Sequence, residues 1–96
     1  LGAFLHHGSV KGSVLSAGVV VEEGAQVIDS VIMPSARIAK GAKVIRSIIA
    51  EEAVIEADCE VGEETGDITL IGNDTVVKAG DKVPAGQQVS REGSEV

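Results

Sequence analysis

The sequence predicts an all-β fold, a single-stranded parallel β-helix of about five coils built from hexapeptide repeats. Aliphatic residues recur at intervals of six, six and five, a period that neither an α-helix nor an open strand produces. In a triangular coil of three short strands, each strand sends one such residue inward, and we call these positions rungs. The predicted rungs are Leu15, Val21, Val27, Ile32, Ile38, Val44, Ile49, Ile55, Val61, Ile71, Val77 and Val83.

The composition suits a narrow coil. Hydrophobic residues make up 44% of the chain, yet Phe4 is its one aromatic residue. Valine and isoleucine dominate instead, and β-branched side chains fit a pleated strand. The formal net charge of −7 argues against nucleic acid or an anionic membrane as a partner, because both of these are negatively charged.

Nothing in the sequence indicates secretion or membrane insertion. No apolar run is long enough to span a bilayer, and the first residues lack a basic segment followed by a long apolar one. The single cysteine, Cys59, excludes an intrachain disulfide. We therefore expect a cytoplasmic protein.

The period also divides the chain, which we interpret as one domain over 1–96. Nothing in the first residues looks like the cap that a solenoid needs at its end, so we expect a fragment or single domain of a longer protein. The predicted segments are a partial first coil (1–13), three 17-residue coils (14–64), a loop (62–70), a final coil (71–89) and a polar tail (90–96).

Turns are expected between the strands of each coil. Gly18, Gly24 and Gly41 lie three residues after a rung, and Asp58 occupies the same place. Glycine and aspartate tolerate the positive φ that a tight corner requires. A second inward residue, small or aliphatic, is expected four residues after each rung. These second residues are Val19, Ala25, Val31, Ala36, Ala42, Ile48, Ala53, Cys59 and Thr65.

One basic strip is the candidate binding surface for an anion or a phosphorylated effector, since Arg and Lys bind phosphate well. The strip consists of Arg37, Lys40, Lys43 and Arg46, and the coil that contains it has no acid.

A structural role for the same strip is favoured, because acids lie 17 residues away on either side. Opposite charges on stacked strands stabilise one register, and like charges there would destabilise it. The predicted pairs are Lys43 over Glu60, Lys40 beside Glu23, and Arg46 between Asp29 and Glu63.

No catalytic, cofactor-binding or metal-binding residue is predicted. His6 and His7 are the two imidazoles, and neighbours on a strand point to opposite faces, so they are poorly placed to share a metal. The sequence has no glycine-rich phosphate loop and no H-E-x-x-H motif. The acidic residues of 51–64 have the oxygen ligands that divalent cations prefer, but we interpret them as a solvated face.

The sequence resembles a known family over 10–89. Its specific features are SVLSAGVVVEEGA at 13–25, DSVIMP at 29–34 and SIIAEEAVI at 47–55, with ITLIGND at 68–74 and VPAG at 83–86. These segments are similar to the C-terminal left-handed β-helix domain of bacterial glucose-1-phosphate adenylyltransferase, also called ADP-glucose pyrophosphorylase. Left-handed coiling is an expectation from this resemblance alone.

The resemblance implies that catalysis is carried out by another domain of the same enzyme. In that family an N-terminal nucleotidyltransferase domain makes ADP-glucose from ATP and glucose 1-phosphate for glycogen biosynthesis, using magnesium. No such domain is present here, so this chain is expected to hold no cofactor and no catalytic residue. Its expected partners are its own catalytic domain and further subunits, as a homo- or hetero-oligomer such as a tetramer, with allosteric control by an effector.

Two alternatives stay open. Hexapeptide-repeat solenoids include acyltransferases that use a His base at a subunit interface, which His6 or His7 would supply. That reading usually needs more coils and a loop near the His, and a shared fold is weak evidence for a shared function. The other alternative is a purely structural solenoid.

Overall fold

A computed structural model describes residues 3–5 and 7–90. Within these residues the chain forms fifteen short β-strands and no helix. His6 and the tail residues 91–96 lie outside the described residues.

The strands form three parallel sheets of five strands each. The first sheet contains β1 (Phe4–Leu5), β4 (Val20–Val21), β7 (Arg37–Ile38), β10 (Val54–Ile55) and β13 (Val76–Val77). The second sheet contains β2 (Ser9–Lys11), β5 (Gln26–Ile28), β8 (Lys43–Ile45), β11 (Glu60–Val61) and β14 (Lys82–Val83). The third sheet contains β3 (Val14–Leu15), β6 (Val31–Ile32), β9 (Ser47–Ile49), β12 (Thr69–Ile71) and β15 (Gln88–Val89).

The chain visits the three sheets in turn and pairs every strand with the third strand before and after it. Each circuit of three strands is one coil, so β1–β3 form the first coil and β13–β15 the fifth. The fold is therefore the predicted all-β parallel solenoid of five turns, and it is consistent with a left-handed β-helix.

The stacking register follows the sequence period. Val14 pairs with Val31 and Val31 with Ile48, at the 17-residue spacing of the regular coils. Ile48 pairs with Leu70, 22 residues on, because the segment 62–68 is inserted between β11 and β12. β12 begins at Thr69, so the irregular segment is two residues shorter than the predicted loop over 62–70.

The rungs form the core. All predicted rungs except Leu15 are buried, with at most 7% of their surface exposed. Leu15 is half-buried and packs against this core, as do Val10 and Val89. Burial of a continuous aliphatic column is the main force that holds the coils together.

For the rungs from Val21 to Val77, the second inward residue lies two positions before the rung, and not four positions after the preceding rung as expected. The two rules give the same residue where consecutive rungs are six residues apart, which we call a six-residue leg of the coil. They give different residues on the five-residue leg, where consecutive rungs are five residues apart. There the buried residues are Ser30, Ser47 and Thr69, whereas Val31 and Ile48 point outward and Thr65 is exposed. A one-residue shift along a strand turns a side chain to the other face.

The corners have the expected backbone conformation. Gly18, Gly24 and Gly41 have positive φ angles of 73–75°, and Asp58 has a φ of 61°. Arg46 has a φ of 45° at the short corner between β8 and β9, which is uncommon for a long side chain.

Candidate functional site

The basic strip does not converge on one surface. Arg37 lies on the first sheet and Lys40 in the turn that follows it, whereas Lys43 lies on the second sheet and Arg46 at the next corner. Sheets of a triangular solenoid face different directions. The four side chains are therefore divided between two faces.

Arg37 and Lys40 both contact Glu22. The Arg37 guanidinium forms an ion pair with the Glu22 carboxylate, and its Nε donates to Oε2 at 2.7 Å. The backbone N–H of Lys40 donates to Oε1 of Glu22 at 3.2 Å. Together with Val20 and Glu23 they line a shallow depression of about 450 Å³. Glu22 is thus the acid whose carboxylate contacts the Arg37 guanidinium and the Lys40 backbone, while Glu23, the predicted neighbour of Lys40, lines the same depression.

Lys43 belongs to a column on the outer face of the second sheet. Gln26, Lys43, Glu60 and Lys82 follow one another in register, so the predicted placement of Lys43 over Glu60 is correct. The Lys82 ammonium lies 3.7 Å from the Glu60 carboxylate. Both side chains are exposed, so this pair contributes little to stability.

Of the two acids predicted beside Arg46, Asp29 stacks one coil before it as expected, whereas Glu63 does not lie above it. The Arg46 guanidinium donates to the carbonyl oxygen of Gly66 in the inserted segment. The Glu63 carboxylate instead accepts the Ala85 N–H at 2.9 Å. The chain leaves the 17-residue register at Gly62, which takes Glu63 away from its expected place above Arg46.

The inserted segment overhangs the second sheet and encloses a groove of about 490 Å³. Two ammonium groups and three carboxylates lie around an apolar floor, a mixture that suits a small polar ligand better than a single strong charge. Lys82 and the apolar floor were not anticipated from the sequence. The residues that line this groove are Lys43, Ile45, Glu60, Gly62, Glu63, Glu64, Lys82, Val83 and Pro84.

The features of an acyltransferase site are far apart. His7 is an exposed turn residue of the first coil, and its carbonyl oxygen accepts the Gly24 N–H. The inserted segment 62–68 belongs to the fourth coil. Within the described residues, the structure therefore brings no loop of this kind to His7.

Cys59 is a buried thiol and not a nucleophile. Its Sγ lies 2.9 Å from the Lys78 carbonyl oxygen, to which it donates, and the side chain is fully buried. Burial raises the pKa of the Cys59 thiol above its ordinary value of 9.0, and the negative charges of Asp81 and Glu56 raise it further, against backbone hydrogen bonds that lower it. A thiol that stays protonated is inert at neutral pH.

In the part of the chain that the structure describes, no group of three or more His, Cys, Asp or Glu side chains could hold a metal ion. The acids of 51–64 are spread over several corners and strands of the solenoid. The same residues contain no helix long and apolar enough to cross a membrane.

The sequence of this chain matches a protein family and several enzymes of known function. Residues 1–70 match the model of the family described as GlmU-like, C-terminal hexapeptide. Glucose-1-phosphate adenylyltransferases of Bacillus thuringiensis (strain Al Hakam), Bacillus mycoides (strain KBAB4) and Bacillus anthracis are each 51% identical to this chain over 49 residues. That segment is 51% of this chain and 13% of each relative.

The family match covers more than half of the chain and coincides with the first coils of the solenoid. Its hexapeptide period is also the period at which the rungs are buried. The chain belongs to the GlmU-like, C-terminal hexapeptide family.

Proposed function

We propose that this chain is the C-terminal assembly and regulatory domain of a glucose-1-phosphate adenylyltransferase. The observation that carries the proposal is the 51% identity over 49 residues to such enzymes. This identity falls in a chain that has the repeat and the fold of a C-terminal hexapeptide domain. In this proposal the parent enzyme acts in the cytoplasm, in glycogen synthesis.

Catalysis would take place outside this chain. The parent enzyme would transfer the adenylyl group of ATP to glucose 1-phosphate and release pyrophosphate, with ATP and magnesium bound by its catalytic domain. The side chains of this chain suit assembly better than catalysis, since Cys59 is a protonated buried thiol and most charged side chains lie on the surface. The rungs make the domain a stiff body on which subunits of a tetramer could assemble.

The regulatory part of the proposal concerns Arg37 and Lys40. They share one shallow depression, and a phosphate there would compete with Glu22 for the Arg37 guanidinium. Lys43 and Arg46 lie on other parts of the solenoid, so we assign them no role in the same effector contact.

A chimera tests the assembly role. The hexapeptide region of the Bacillus anthracis enzyme would be replaced by this chain, and the mass of the complex and the synthesis of ADP-glucose would be measured. We expect an oligomer of the same mass as the Bacillus enzyme, with activity. The substitution Val44→Asp buries an unpaired charge at a fully buried rung and should abolish assembly.

A matched control is Gln26→Asp, which places the same charge at an exposed position of the second sheet and should leave assembly intact. The proposal fails if the Bacillus enzyme assembles and works equally well after deletion of its hexapeptide region. It also fails if a folded chimera stays monomeric.

The effector contact has its own test in the same chimera. Lys40→Gln should weaken binding of glucose 6-phosphate or inorganic phosphate at least several-fold, measured by calorimetry at constant salt. Lys78→Gln removes the charge of another exposed lysine and serves as the control. Equal binding by the two variants would remove Lys40 from the proposed site.

A further inference from the structure

The outer face of the second sheet has a gap in one of its columns of side chains. On each strand the residue directly after the rung points outward, because side chains alternate between the two faces. Gly62 follows the rung Val61, which is paired with the rungs of β8 and β14. Gly62 thus lies between Ile45 and Pro84, the residues that follow those two rungs. Stacked strands are about 4.8 Å apart, so the gap is about one aliphatic side chain high.

The fold keeps this gap open. A Cβ on Gly62 would overlap the Ile45 carbonyl oxygen and the Ser47 hydroxyl. Gly62 also has a φ of 80°, a conformation that favours glycine. Both the overlap and the backbone conformation therefore disfavour a side chain at this position.

The inserted segment forms a wall beside the gap. Ile45 points outward and does not belong to the core between the sheets, yet 7% of its surface is exposed. The segment is attached to the coil on either side of it. The Arg46 guanidinium donates to the Gly66 carbonyl oxygen, and the Ala85 N–H donates to the Glu63 carboxylate at 2.9 Å. The wall is thus formed before any ligand binds, which lowers the cost of ordering the site.

Two of the charged groups around the groove lack a partner. The Lys82 ammonium lies 3.7 Å from the Glu60 carboxylate, and the Glu63 carboxylate accepts a backbone N–H. Lys43 is stacked on Glu60 in register, but its ammonium forms no ion pair or hydrogen bond with the residues that the structure describes. The same is true of the Glu64 carboxylate. One positive and one negative group are therefore available beside the apolar gap.

This combination argues against several classes of ligand. Three carboxylates against two ammonium groups disfavour a phosphate or another dianion. No three His, Cys, Asp or Glu side chains of the described chain form a group that could hold a metal ion. The lining also offers no aromatic ring on which a nucleobase could stack. The groove instead matches a ligand that carries one charge of each sign and an apolar group.

We propose that this groove binds a free α-amino acid with an aliphatic side chain, such as leucine. Its side chain fills the gap at Gly62, between Ile45 and Pro84. Its carboxylate binds the Lys43 ammonium, and its α-ammonium binds the Glu64 carboxylate. The volume of the groove, about 490 Å³, lies within the range of about 300–1,000 Å³ that is usual for small-molecule sites.

Such a ligand satisfies both available charges at once. A zwitterion adds no net charge to the groove, and each of its charged groups gains a charge-assisted hydrogen bond. Its side chain and the exposed ring of Pro84 are removed from water. The site lies against the second sheet, apart from the depression beside Arg37 on the first sheet. Every group of the site belongs to this chain, so the inference goes beyond the proposed function and does not depend on it.

Titration of leucine into the isotope-labelled chain, followed by NMR, tests the site. We expect saturable shifts of the backbone amide signals of Ile45, Gly62 and Glu64, and constant signals of Val20 and Arg37 on the first sheet. Three analogues each lack one contact: isocaproate has no ammonium, isoamylamine has no carboxylate and glycine has no side chain. Each analogue should bind at least about tenfold more weakly than leucine.

Two substitutions assign the charged contacts. Lys43→Gln should weaken leucine binding about tenfold and leave the affinity for isoamylamine, which has no carboxylate, unchanged. Glu64→Gln should weaken leucine binding to a similar extent and leave the affinity for isocaproate unchanged. Both side chains are exposed, so neither substitution should disturb the fold. Lys78→Gln and Glu51→Gln remove exposed charges outside the groove and should retain the affinity of the unsubstituted chain.

Several results would overturn the inference. One is leucine binding that does not saturate, or that shifts signals of the first sheet instead of those of the groove. Isocaproate or isoamylamine binding as tightly as leucine would indicate a simple anion or cation site. Equal losses in the groove variants and the control variants would also contradict it. The analogue series needs no substitution, so it decides the question even if a variant does not fold.

Discussion

The backbone N–H of Ser47 donates a hydrogen bond to Oγ of Ser30, 17 residues earlier, at 3.1 Å. Ser30 makes the same bond to Oγ of Ser13 at 2.9 Å. Each hydroxyl also donates to the carbonyl oxygen two residues before it, as Ser30 does to Ile28 at 2.8 Å. The hydroxyls thus satisfy buried amides at the short corner, where the five-residue leg begins.

These stacked serine hydrogen bonds form a ladder, and it predicts that Ser30→Ala lowers the free energy of unfolding. The substitution removes the acceptor of the buried Ser47 N–H, and an unsatisfied buried donor costs about 1–3 kcal/mol. Urea unfolding would measure the change in the free energy of unfolding. Ser9→Ala, at an exposed position of β2, is the control and should change it by less than about 0.5 kcal/mol. Equal effects would contradict the ladder.

Gly62 and Gly80 have nearly the same φ angle but different surroundings. Substituting each of them therefore distinguishes the cost of backbone strain from the cost of steric overlap. Gly62 has a φ of 80° and Gly80 a φ of 78°. A Cβ on Gly62 would overlap the Ile45 carbonyl oxygen and the Ser47 hydroxyl, whereas a Cβ on Gly80 would meet nothing within 4 Å.

Gly80→Ala should therefore destabilise the chain by about 1–2 kcal/mol, the usual cost of a side chain at this φ. Gly62→Ala should lower the free energy of unfolding by roughly a further 1–3 kcal/mol because the backbone must shift. Thermal or urea unfolding of both variants measures the difference. If Gly62→Ala proved no worse than Gly80→Ala, the close approach of Gly62 to Ile45 would be disproved.

Adjacent isoleucines of β9 test the inward assignment. Ile49 is a fully buried rung and Ile48 points outward. Ile49→Ala should cost about 2–5 kcal/mol, because it leaves a cavity between stacked coils. Ile48→Ala removes the same atoms from the outer face of the isolated chain and should cost less than half as much in urea unfolding. Reversed magnitudes would mean that the register of the strand is wrong.

The buried Cys59 thiol should make the folded chain less stable at alkaline pH. Because burial raises the pKa of the folded thiol above the ordinary value of 9.0, the unfolded chain loses this proton first as pH rises. The contribution of Cys59 to stability is therefore fully present below pH 9 and declines above it. We expect Cys59→Ala to remove that part of the decline, measured as the free energy of unfolding from pH 7 to 10. An unchanged slope would contradict the assignment.

The period of the sequence was enough to predict the fold. Rungs such as Val44 and Ile55 are buried because a six-residue step returns the same face of a strand to the interior. The five-residue leg caused the main error. Val31 and Ile48 were expected to be inward and are outward, because the corner before them contains one residue fewer and Ser30 or Ser47 takes the inward place.

The candidate sites were less predictable from the sequence. Lys82 pairs with Glu60 because the segment 62–68 changes the pairing offset from 17 to 22 residues. The pair could be predicted only if the length of that insertion were known. The same insertion separates Arg46 from Glu63. Charge pairing across coils is set by register, and an insertion of unknown shape removes the register on which the sequence argument depends.

We propose that this solenoid is one domain of an adenylyltransferase, on the basis of its identity to such enzymes over 49 residues. The most direct measurement is the mass and sequence of the intact natural product that contains these 96 residues. We expect a product several times longer, with a nucleotidyltransferase domain and its glycine-rich loop ahead of Leu1. A natural product of about 100 residues would contradict it.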